Sequence, residues 1–156
     1  MNVNIALLTV TDTRTLKTDK SGNILADKIA KANHNLVDRK ICKDSKKAIK
    51  KILKEWIKKK KIDVIITTGG TGLTGRDITP EALDEIADKH IPGFGEVFRT
   101  ISLKTVGTSS IQSRACAILA NGKYIFALPG SSGGVTDAWD EILVHQLDIN
   151  HKPCNF

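Results

Sequence analysis

Two uninterrupted apolar segments constrain the fold of this chain more than any other feature of its sequence. Val3 to Val10 and Ile62 to Thr67 are rich in β-branched and aliphatic residues and lack regular polar alternation. A strand with one face in water alternates apolar and polar side chains, whereas a strand covered on both faces does not. Both segments are therefore predicted to be central strands of a parallel sheet.

The segments between these strands carry helix signals. Leu36 to Cys42 is typical of a shorter strand, and His90 to Gly95 is expected to interrupt the helical pattern before a helix over Glu96 to Lys104. Side chains that commonly cap helices precede the helical apolar spacing at Ser21, at Asp44 or Ser45, and at Thr79. Pro80 follows Thr79, as is common in a first helical turn.

A hairpin signal completes the fold prediction. Ala115 to Ala120 and Lys123 to Leu128 flank Asn121-Gly122, a dipeptide typical of type I′ turns. Strands that alternate with helices of this length indicate a doubly wound α/β fold with a mostly parallel sheet, helices on both faces and one antiparallel hairpin near the C-terminal half. We expect one domain over residues 1–156, since the length of 156 residues suits a single core.

The net charge of +7 raises the question of a nucleic-acid partner. Much of the excess lies in the lysines between Lys46 and Lys61, where Ile49, Leu53 and Trp56 follow the spacing of a buried helix face. The lysines are thus predicted to form the solvated face of that helix. Aromatic residues are not interleaved with arginine, so no platform for stacked bases is expected. We expect no nucleic-acid partner, while small anionic ligands remain favoured.

The apolar runs and the cysteines indicate the cellular compartment of the protein. The longest apolar runs are far shorter than the roughly 20 residues of a membrane span, and no signal peptide opens the sequence. Cys42, Cys116 and Cys154 are widely spaced and odd in number, which suits reduced thiols. We expect a cytoplasmic protein with no membrane partner.

A glycine-rich loop after the second central strand is the strongest local signal for function. Ligands of doubly wound folds bind beyond the carboxyl ends of the strands. Gly70, Gly72 and Gly75 match a dinucleotide motif, but the predicted helix begins only at Thr79. The same loop lacks the lysine and hydroxyl of a P-loop. Successive bare amides still predict a phosphate cradle.

Two aspartates near this loop are candidate metal ligands. An aspartate beside a phosphate is repulsive unless a cation lies between them, so Asp77 suits Mg²⁺ binding, and Asp44 is a candidate second ligand. A structural alternative remains open for each residue. Asp77 would favour the dipole of the next helix, and Asp44 would cap one.

Pro129-Gly130-Ser131-Ser132-Gly133-Gly134 predicts a second anion cradle, because small residues before a helix expose its first amides. A tight strand-to-helix turn is the alternative. Ser132 formally matches a nucleophile elbow, yet no histidine is placed by sequence to activate it. The arginines near these loops are candidates for bidentate phosphate contacts, with Arg76 the first choice: Arg14, Arg76, Arg99 and Arg114.

These motifs resemble the MoaB/Mog family of molybdenum cofactor biosynthesis proteins, and the MoaB branch more closely. The matching elements occur in order along nearly the whole chain: Thr9-Val10 with Asp12, Arg14 and Ser21-Gly22; Thr68-Gly69-Gly70-Thr71-Gly72 with Arg76-Asp77 and Thr79-Pro80-Glu81; Pro92-Gly93-Phe94-Gly95-Glu96 with Arg99 and Ser102; Ser113-Arg114-Ala115; Leu128-Pro129-Gly130-Ser131. The MoaB branch is indicated by Gly72-Leu73-Thr74 and by the ending Pro153-Cys154-Asn155-Phe156.

The resemblance implies a function for the two cradles. Adenylylating members transfer AMP from MgATP to the terminal phosphate of molybdopterin and release pyrophosphate. Asp77 and Asp44 would then be the catalytic, Mg²⁺-holding acids, with substrates bound by two sets of residues: Thr68, Gly69, Gly70, Thr71, Gly72 and Arg76; and Pro129, Gly130, Ser131 and Ser132. The family also implies a homotrimer or homohexamer and a partner in molybdenum insertion. The alternative is a member that binds molybdopterin or a precursor without turnover.

Overall fold

A six-stranded sheet forms the centre of the computed structural model, which describes residues 2–148 and 150. The strands are β1 (Asn4–Val10), β2 (Asn35–Cys42), β3 (Val64–Thr68), β4 (Lys89–His90), β5 (Cys116–Ala120) and β6 (Lys123–Leu128). Their order is β2-β1-β3-β6-β5-β4. β2, β1, β3 and β6 run parallel, and β5 pairs antiparallel with both β6 and β4. The predicted mostly parallel sheet with a C-terminal hairpin is confirmed.

Helices cover both faces of this sheet. They are α1 (Lys20–Lys31), α2 (Lys46–Ile57), α3 (Thr79–Asp84), α4 (Pro92–Val106), α5 (Ser132–Ala138) and α6 (Val144–Gln146). A 3₁₀ segment (Gly107–Gln112) follows α4, and a π-helical segment (Trp139–Leu143) joins α5 to α6. α1, α4 and α5 contribute to the core on one face, and α2 and α3 contribute to the core on the other. The predicted doubly wound fold is confirmed.

The first strand explains why its sequence lacks polar alternation. Ile5 and Leu7 pack into one core, while Ala6 and Leu8 pack into the other, and all four are 0% exposed. Burial of each of the larger side chains contributes roughly 1.5–3 kcal/mol. Both faces of β1 are therefore interior, as its continuous apolar run predicts.

The lysine-rich helix has the predicted amphipathic arrangement. Ile49, Leu53 and Trp56 of α2 are buried, whereas Lys47 and Lys51 are exposed. Ser45, one of the two predicted capping residues, accepts a hydrogen bond from the Ala48 amide at 3.3 Å. The positive charge of this segment thus lies on the solvent side of α2.

Two predicted helix caps are wrong. α1 begins at Lys20, and its cap is Asp19, whose carboxylate accepts a 3.0 Å bond from the Gly22 amide. Ser21 is buried within α1. Thr79 is the first residue of α3 rather than its cap, because its hydroxyl donates instead to the Gly69 carbonyl at 2.9 Å.

The segment between α3 and β5 also differs from the prediction. Lys89 and His90 form β4 and pair with Leu119 and Ile118 of β5. α4 begins at Pro92, because a proline is tolerated in a first turn, where its missing amide has no helical partner. Gly93 and Gly95, which belong to the predicted break, lie inside this helix.

The hairpin turn has the backbone that its sequence predicts. Asn121 has φ 48° and Gly122 has φ 74°, the two positive values of a type I′ turn. Among residues 2–148 and 150, no helix is both long and apolar enough to cross a bilayer. The Pro153-Cys154-Asn155-Phe156 motif and Cys154 lie outside the described residues.

Candidate functional site

A cavity of about 700 Å³ opens at the carboxyl ends of β1, β3 and β6, which are neighbours in the sheet. The chain crosses from β1 to β2 on one side and then to β3 on the other, so the cavity lies at a topological switch point. It is lined by ten predicted site residues: Asp44, Gly69, Gly70, Thr71, Gly72, Arg76, Asp77, Pro129, Gly130 and Ser131. This cavity lies at the sheet edge where the sequence predicts the site.

Thr68 and Ser132, the other two predicted site residues, line a smaller adjoining cavity of about 290 Å³. Arg14 and Lys20 lie on its wall and supply positive charge. Ser131 lines both cavities. The structure therefore assembles all twelve predicted residues around two adjoining spaces.

The glycine loop between β3 and α3 has a backbone that other residues adopt only with strain. Gly69 has φ 100° and Gly70 has φ 70°. A β-carbon at Gly69 would lie 2.3 Å from the Val10 carbonyl oxygen, and one at Gly70 would lie 2.4 Å from Thr79 Oγ1. Two glycines are thus required here by conformation and by space.

Threonine side chains hold the start of this loop. The Thr79 amide donates to the Gly70 carbonyl at 3.0 Å, in addition to its hydroxyl bond to Gly69. Thr68 is fully buried and donates to the Pro129 carbonyl at 2.8 Å. Because Pro129 opens the second predicted cradle, the Thr68 hydroxyl links the two cradles directly.

Asp77 faces the cavity and is held within its own loop. Its Oδ2 accepts hydrogen bonds from the Thr74 amide at 2.9 Å and from Thr74 Oγ1 at 2.7 Å. Partial burial opposes ionisation, but these bonds, a Gly72 amide and the charge of Arg114 outweigh it and lower the pKa of Asp77 below its ordinary value. Asp77 is therefore ionised at neutral pH and lines the cavity as a carboxylate.

Asp44 lies on the same cavity in a different electrostatic environment. Partial burial and the negative charges of Asp12 and Asp77 raise its pKa above the ordinary value, and Arg76 opposes this shift. Its backbone amide donates to Asp12 Oδ1 at 3.0 Å. Asp44 is thus repelled by both Asp12 and Asp77, and added positive charge at the rim would relieve this repulsion.

Asp12 is a site residue that sequence reasoning did not select, although it appears in the motif of the resemblance. It follows the end of β1 and accepts a hydrogen bond from the Arg76 guanidinium, which lies 64 positions away. The Asp44 amide and Arg76 lower the pKa of Asp12. Its position two residues after a central strand was the available signal. Arg76, the arginine favoured for phosphate contact, is therefore paired with Asp12 at the cavity.

The second cradle begins a helix. Ser131 caps α5 and accepts a bond from the Gly134 amide at 3.1 Å. A β-carbon at Gly130 would lie 3.4 Å from the Gly69 α-carbon, which shows how closely the two loops approach. Within the described part of the chain, no histidine lines either cavity, so the formal nucleophile elbow at Ser132 has no assembled base.

Two of the candidate arginines bind backbone carbonyls and do not line either of these two cavities. Arg99 donates to the carbonyls of Ser113 and Ala115 at 3.3 and 3.0 Å. Arg114 donates to the carbonyls of Gly72 and Asp77 at 2.8 and 2.9 Å. Neither geometry is that of a free phosphate ligand. The sequence alone could not distinguish these two arginines from Arg14 and Arg76, because the partners of Arg99 and Arg114 lie far from them along the chain.

The acid residues suit a cation that arrives with a polyphosphate. Among residues 2–148 and 150, no three His, Cys, Asp or Glu side chains form a ready metal cluster. Mg²⁺ typically binds to one or two carboxylates, water and substrate phosphates rather than to an all-protein cage. Two carboxylates on one rim, Asp44 and Asp77, fit that requirement.

A family model described as a probable molybdopterin binding domain matches residues 6–148, which include both cradles and both acids. The chain belongs to this family. It is 45% identical over 152 residues to molybdenum cofactor biosynthesis protein B of Escherichia coli K12, a match that covers 97% of this chain and 89% of that protein.

Solved structures of the family agree with this assignment. A crystal structure of molybdenum cofactor biosynthesis protein B has a TM-score of 0.91 at 40% identity, covering 94% of this chain and 92% of that one. The Mog protein of Mycobacterium ulcerans has a TM-score of 0.82 at 30% identity, covering 94% and 97%. The predicted MoaB/Mog membership, with greater similarity to MoaB, is confirmed.

Proposed function

We propose that this MoaB-type chain takes part in molybdenum cofactor biosynthesis by binding molybdopterin and transferring AMP to it from MgATP. A terminal phosphate oxygen of molybdopterin would form a bond to the α-phosphorus of ATP. The bond between the α-phosphorus and the oxygen bridging to the β-phosphate would break, and pyrophosphate would leave. The observation that carries the proposal is one cavity lined by two glycine-containing cradles and by Asp44 and Asp77.

The cradles supply positions for two phosphate-bearing substrates. The amides of Gly70 and Thr71 and the Thr71 hydroxyl, with Arg76 beside them, suit one polyphosphate. The α5 N-terminus at Ser131 and the smaller cavity with Arg14 suit another anion. Phosphoryl-type transfer depends chiefly on positioning and charge neutralisation, so adjoining cradles meet its main demand.

The acids would hold the Mg²⁺ that accompanies ATP. Such an ion neutralises phosphate charge and orients the groups that react. Asp77 enters this role ionised and held by Thr74. Burial and the neighbouring carboxylates raise the pKa of Asp44, so an added positive charge would stabilise its ionised form. Arg76 would exchange Asp12 for phosphate when the polyphosphate binds.

Replacing Asp77 tests the catalytic proposal. Asp77→Ala is expected to lower the rate of AMP transfer by at least about 100-fold, because it removes a charge that positions the cation. Molybdopterin affinity should stay within about tenfold, because the second cradle is unchanged. Asp77→Asn retains an acceptor for Thr74 and should be equally slow. Pyrophosphate release reports turnover, and molybdopterin fluorescence quenching reports binding.

Asp27→Ala is the matched control, since Asp27 is an exposed aspartate of α1 paired with Lys31. It should transfer AMP at the wild-type rate. If Asp77→Ala also retained that rate, Asp77 would have no catalytic part and its bonds to Thr74 would be purely structural.

The alternative function is molybdopterin or precursor binding without turnover. The same cavity would serve it, and the name of the Escherichia coli relative states cofactor biosynthesis without a reaction. Wild-type protein that binds molybdopterin but forms no pyrophosphate from MgATP would establish this alternative.

Assembly as a trimer or hexamer and contact with a molybdenum-insertion partner stay predictions. Exposed apolar side chains on and after α4 support self-association: Val97, Leu103, Val106 and Ile111. Sedimentation velocity on the purified chain measures the oligomeric state directly. A monomer at micromolar concentration would contradict the prediction.

A further inference from the structure

The Arg114 side chain contacts both the glycine loop and the helix that follows it. Its Nε donates to the Gly72 carbonyl at 2.8 Å, and its Nη2 donates to the Asp77 carbonyl at 2.9 Å. Its Nη1 donates to the Glu81 carboxylate in the first turn of α3. All three guanidinium nitrogens are therefore used to join the loop to the helix that follows it.

The backbone of the same residue adds a fourth contact. The Arg114 amide donates to the Thr71 carbonyl at 2.9 Å. Thr71, Gly72 and Asp77 thus each direct a carbonyl group to Arg114, which lies before β5 and far from them in the chain. Between Gly72 and Asp77, the loop is otherwise held by the Thr74 bonds to Asp77 and by the pairing of Arg76 with Asp12.

Arg114 contacts the loop through the loop's carbonyl groups. Arg114 is not a lining residue of the main cavity, whereas the Asp77 side chain is. Arg114 therefore does not bind the ligand itself. A guanidinium fork can bind two carbonyls and a carboxylate together, whereas the ammonium of lysine is a point charge on a flexible stem.

We propose that Arg114 is a positioning residue that holds the glycine loop and Asp77 in the geometry needed to bind a polyphosphate at the main cavity. This role deepens the proposed AMP transfer and rests on it for its catalytic consequence. Its effect on the loop is independent of turnover. The side chain acts through the loop carbonyls and Glu81 of α3, while residues of the same loop line the cavity.

The main test compares Arg114→Lys, which retains charge, with Arg114→Ala. Both are expected to reduce kcat for AMP transfer, by roughly 100-fold for Arg114→Ala, since a displacement of about 1 Å at reacting groups has that effect. KM for MgATP should rise, while KM for molybdopterin should change by less than about threefold. Guanidinium chloride, at a concentration that leaves the melting temperature unchanged, should partly restore Arg114→Ala. Methylammonium should not.

A measurement without turnover separates this proposal from the proposed reaction. Hydrogen exchange of the loop amides between residues 71 and 77 should be faster in Arg114→Lys, while exchange in β1 and β3 stays unchanged. Affinity for inorganic pyrophosphate should fall at least about tenfold. These results would support the positioning role of Arg114 even if wild-type protein transferred no AMP. That failure would count against the proposed reaction alone.

Ile118→Val serves as a generally destabilised control, because it removes one buried methylene from β5 at a cost of about 1 kcal/mol. It should not change loop exchange or pyrophosphate affinity. Glu81→Gln retains the two carbonyl bonds of Arg114 and should have a smaller effect than Arg114→Lys. If Arg114→Lys matched wild type in loop exchange and in pyrophosphate affinity, the positioning role would be refuted. Equal loop exchange in Ile118→Val and Arg114→Lys would refute it also.

Discussion

Replacing Gly69 with alanine tests the geometry of the first cradle. The residue has φ 100°, and a β-carbon there would lie 2.3 Å from the Val10 carbonyl oxygen. That atom belongs to the backbone at the end of β1, so it cannot rotate away as a side chain would. Either the loop or the end of the central strand must move by about 1 Å to restore an ordinary contact.

Two contributions set the expected loss of stability. An L-residue in this region of backbone conformation costs about 1–3 kcal/mol, and overpacking against a fixed neighbour costs a further 1–3 kcal/mol or so. The sum centres on about 4 kcal/mol in the free energy of unfolding. For a domain of this size, that corresponds to a fall in melting temperature of about 8–16 °C.

Gly75→Ala is the matched control within the same loop. Apart from its two chain neighbours, no residue has an atom within 4 Å of a β-carbon at Gly75, and its φ lies outside the left-handed range. Its free energy of unfolding should stay within about 0.5 kcal/mol of wild type. Urea unfolding and thermal melting of both variants give the comparison. Equal stabilities of Gly69→Ala and Gly75→Ala would refute the close approach of the loop to β1.

Two further predictions concern the second cradle and pH. Ser131→Ala should lower the free energy of unfolding by about 1 kcal/mol, because it removes the bond to the Gly134 amide. Ser131→Asp should restore this cap but weaken pyrophosphate binding, which titration calorimetry would measure. Wild-type stability together with wild-type pyrophosphate affinity in Ser131→Asp would contradict an anion site at Ser131. His34 Nδ1 accepts the Val3 amide at 3.2 Å, and burial lowers the pKa of His34 below its ordinary 6.5. Folding thus favours the neutral ring. The contribution of His34 to the free energy of unfolding is present above pH 6.5 and is lost as pH falls through the lowered pKa. Urea unfolding should show a smaller acid loss in His34→Gln than in wild type, and equal losses would contradict the assignment.

The elements most accessible to sequence reasoning were those governed by local patterns. The apolar run of β1 indicated burial on both faces, and Ile5 and Ala6 do enter opposite cores. Asn121-Gly122 indicated its turn because few dipeptides tolerate two positive φ values. Chain order then placed the residues after β1, β3 and β6 at one edge of the sheet.

Features that depend on distant partners could not be derived in this way. Thr79 has the composition of a helix cap, but the nearby Gly69 carbonyl recruits its hydroxyl. Asp19 replaces Ser21 as a cap and also accepts a bond from the Thr9 hydroxyl at 2.6 Å. The pairing of Arg76 with Asp12 depends on how two strand ends meet. Local propensity carries no information about such contacts, because each one joins residues that only the folded chain brings together.

The most direct test of AMP transfer is pyrophosphate formation by the purified wild-type chain with molybdopterin and MgATP. The account predicts one pyrophosphate for each adenylylated molybdopterin and none when either substrate or Mg²⁺ is omitted. Tight molybdopterin binding with no pyrophosphate formed would contradict the catalytic claim and leave a binding protein.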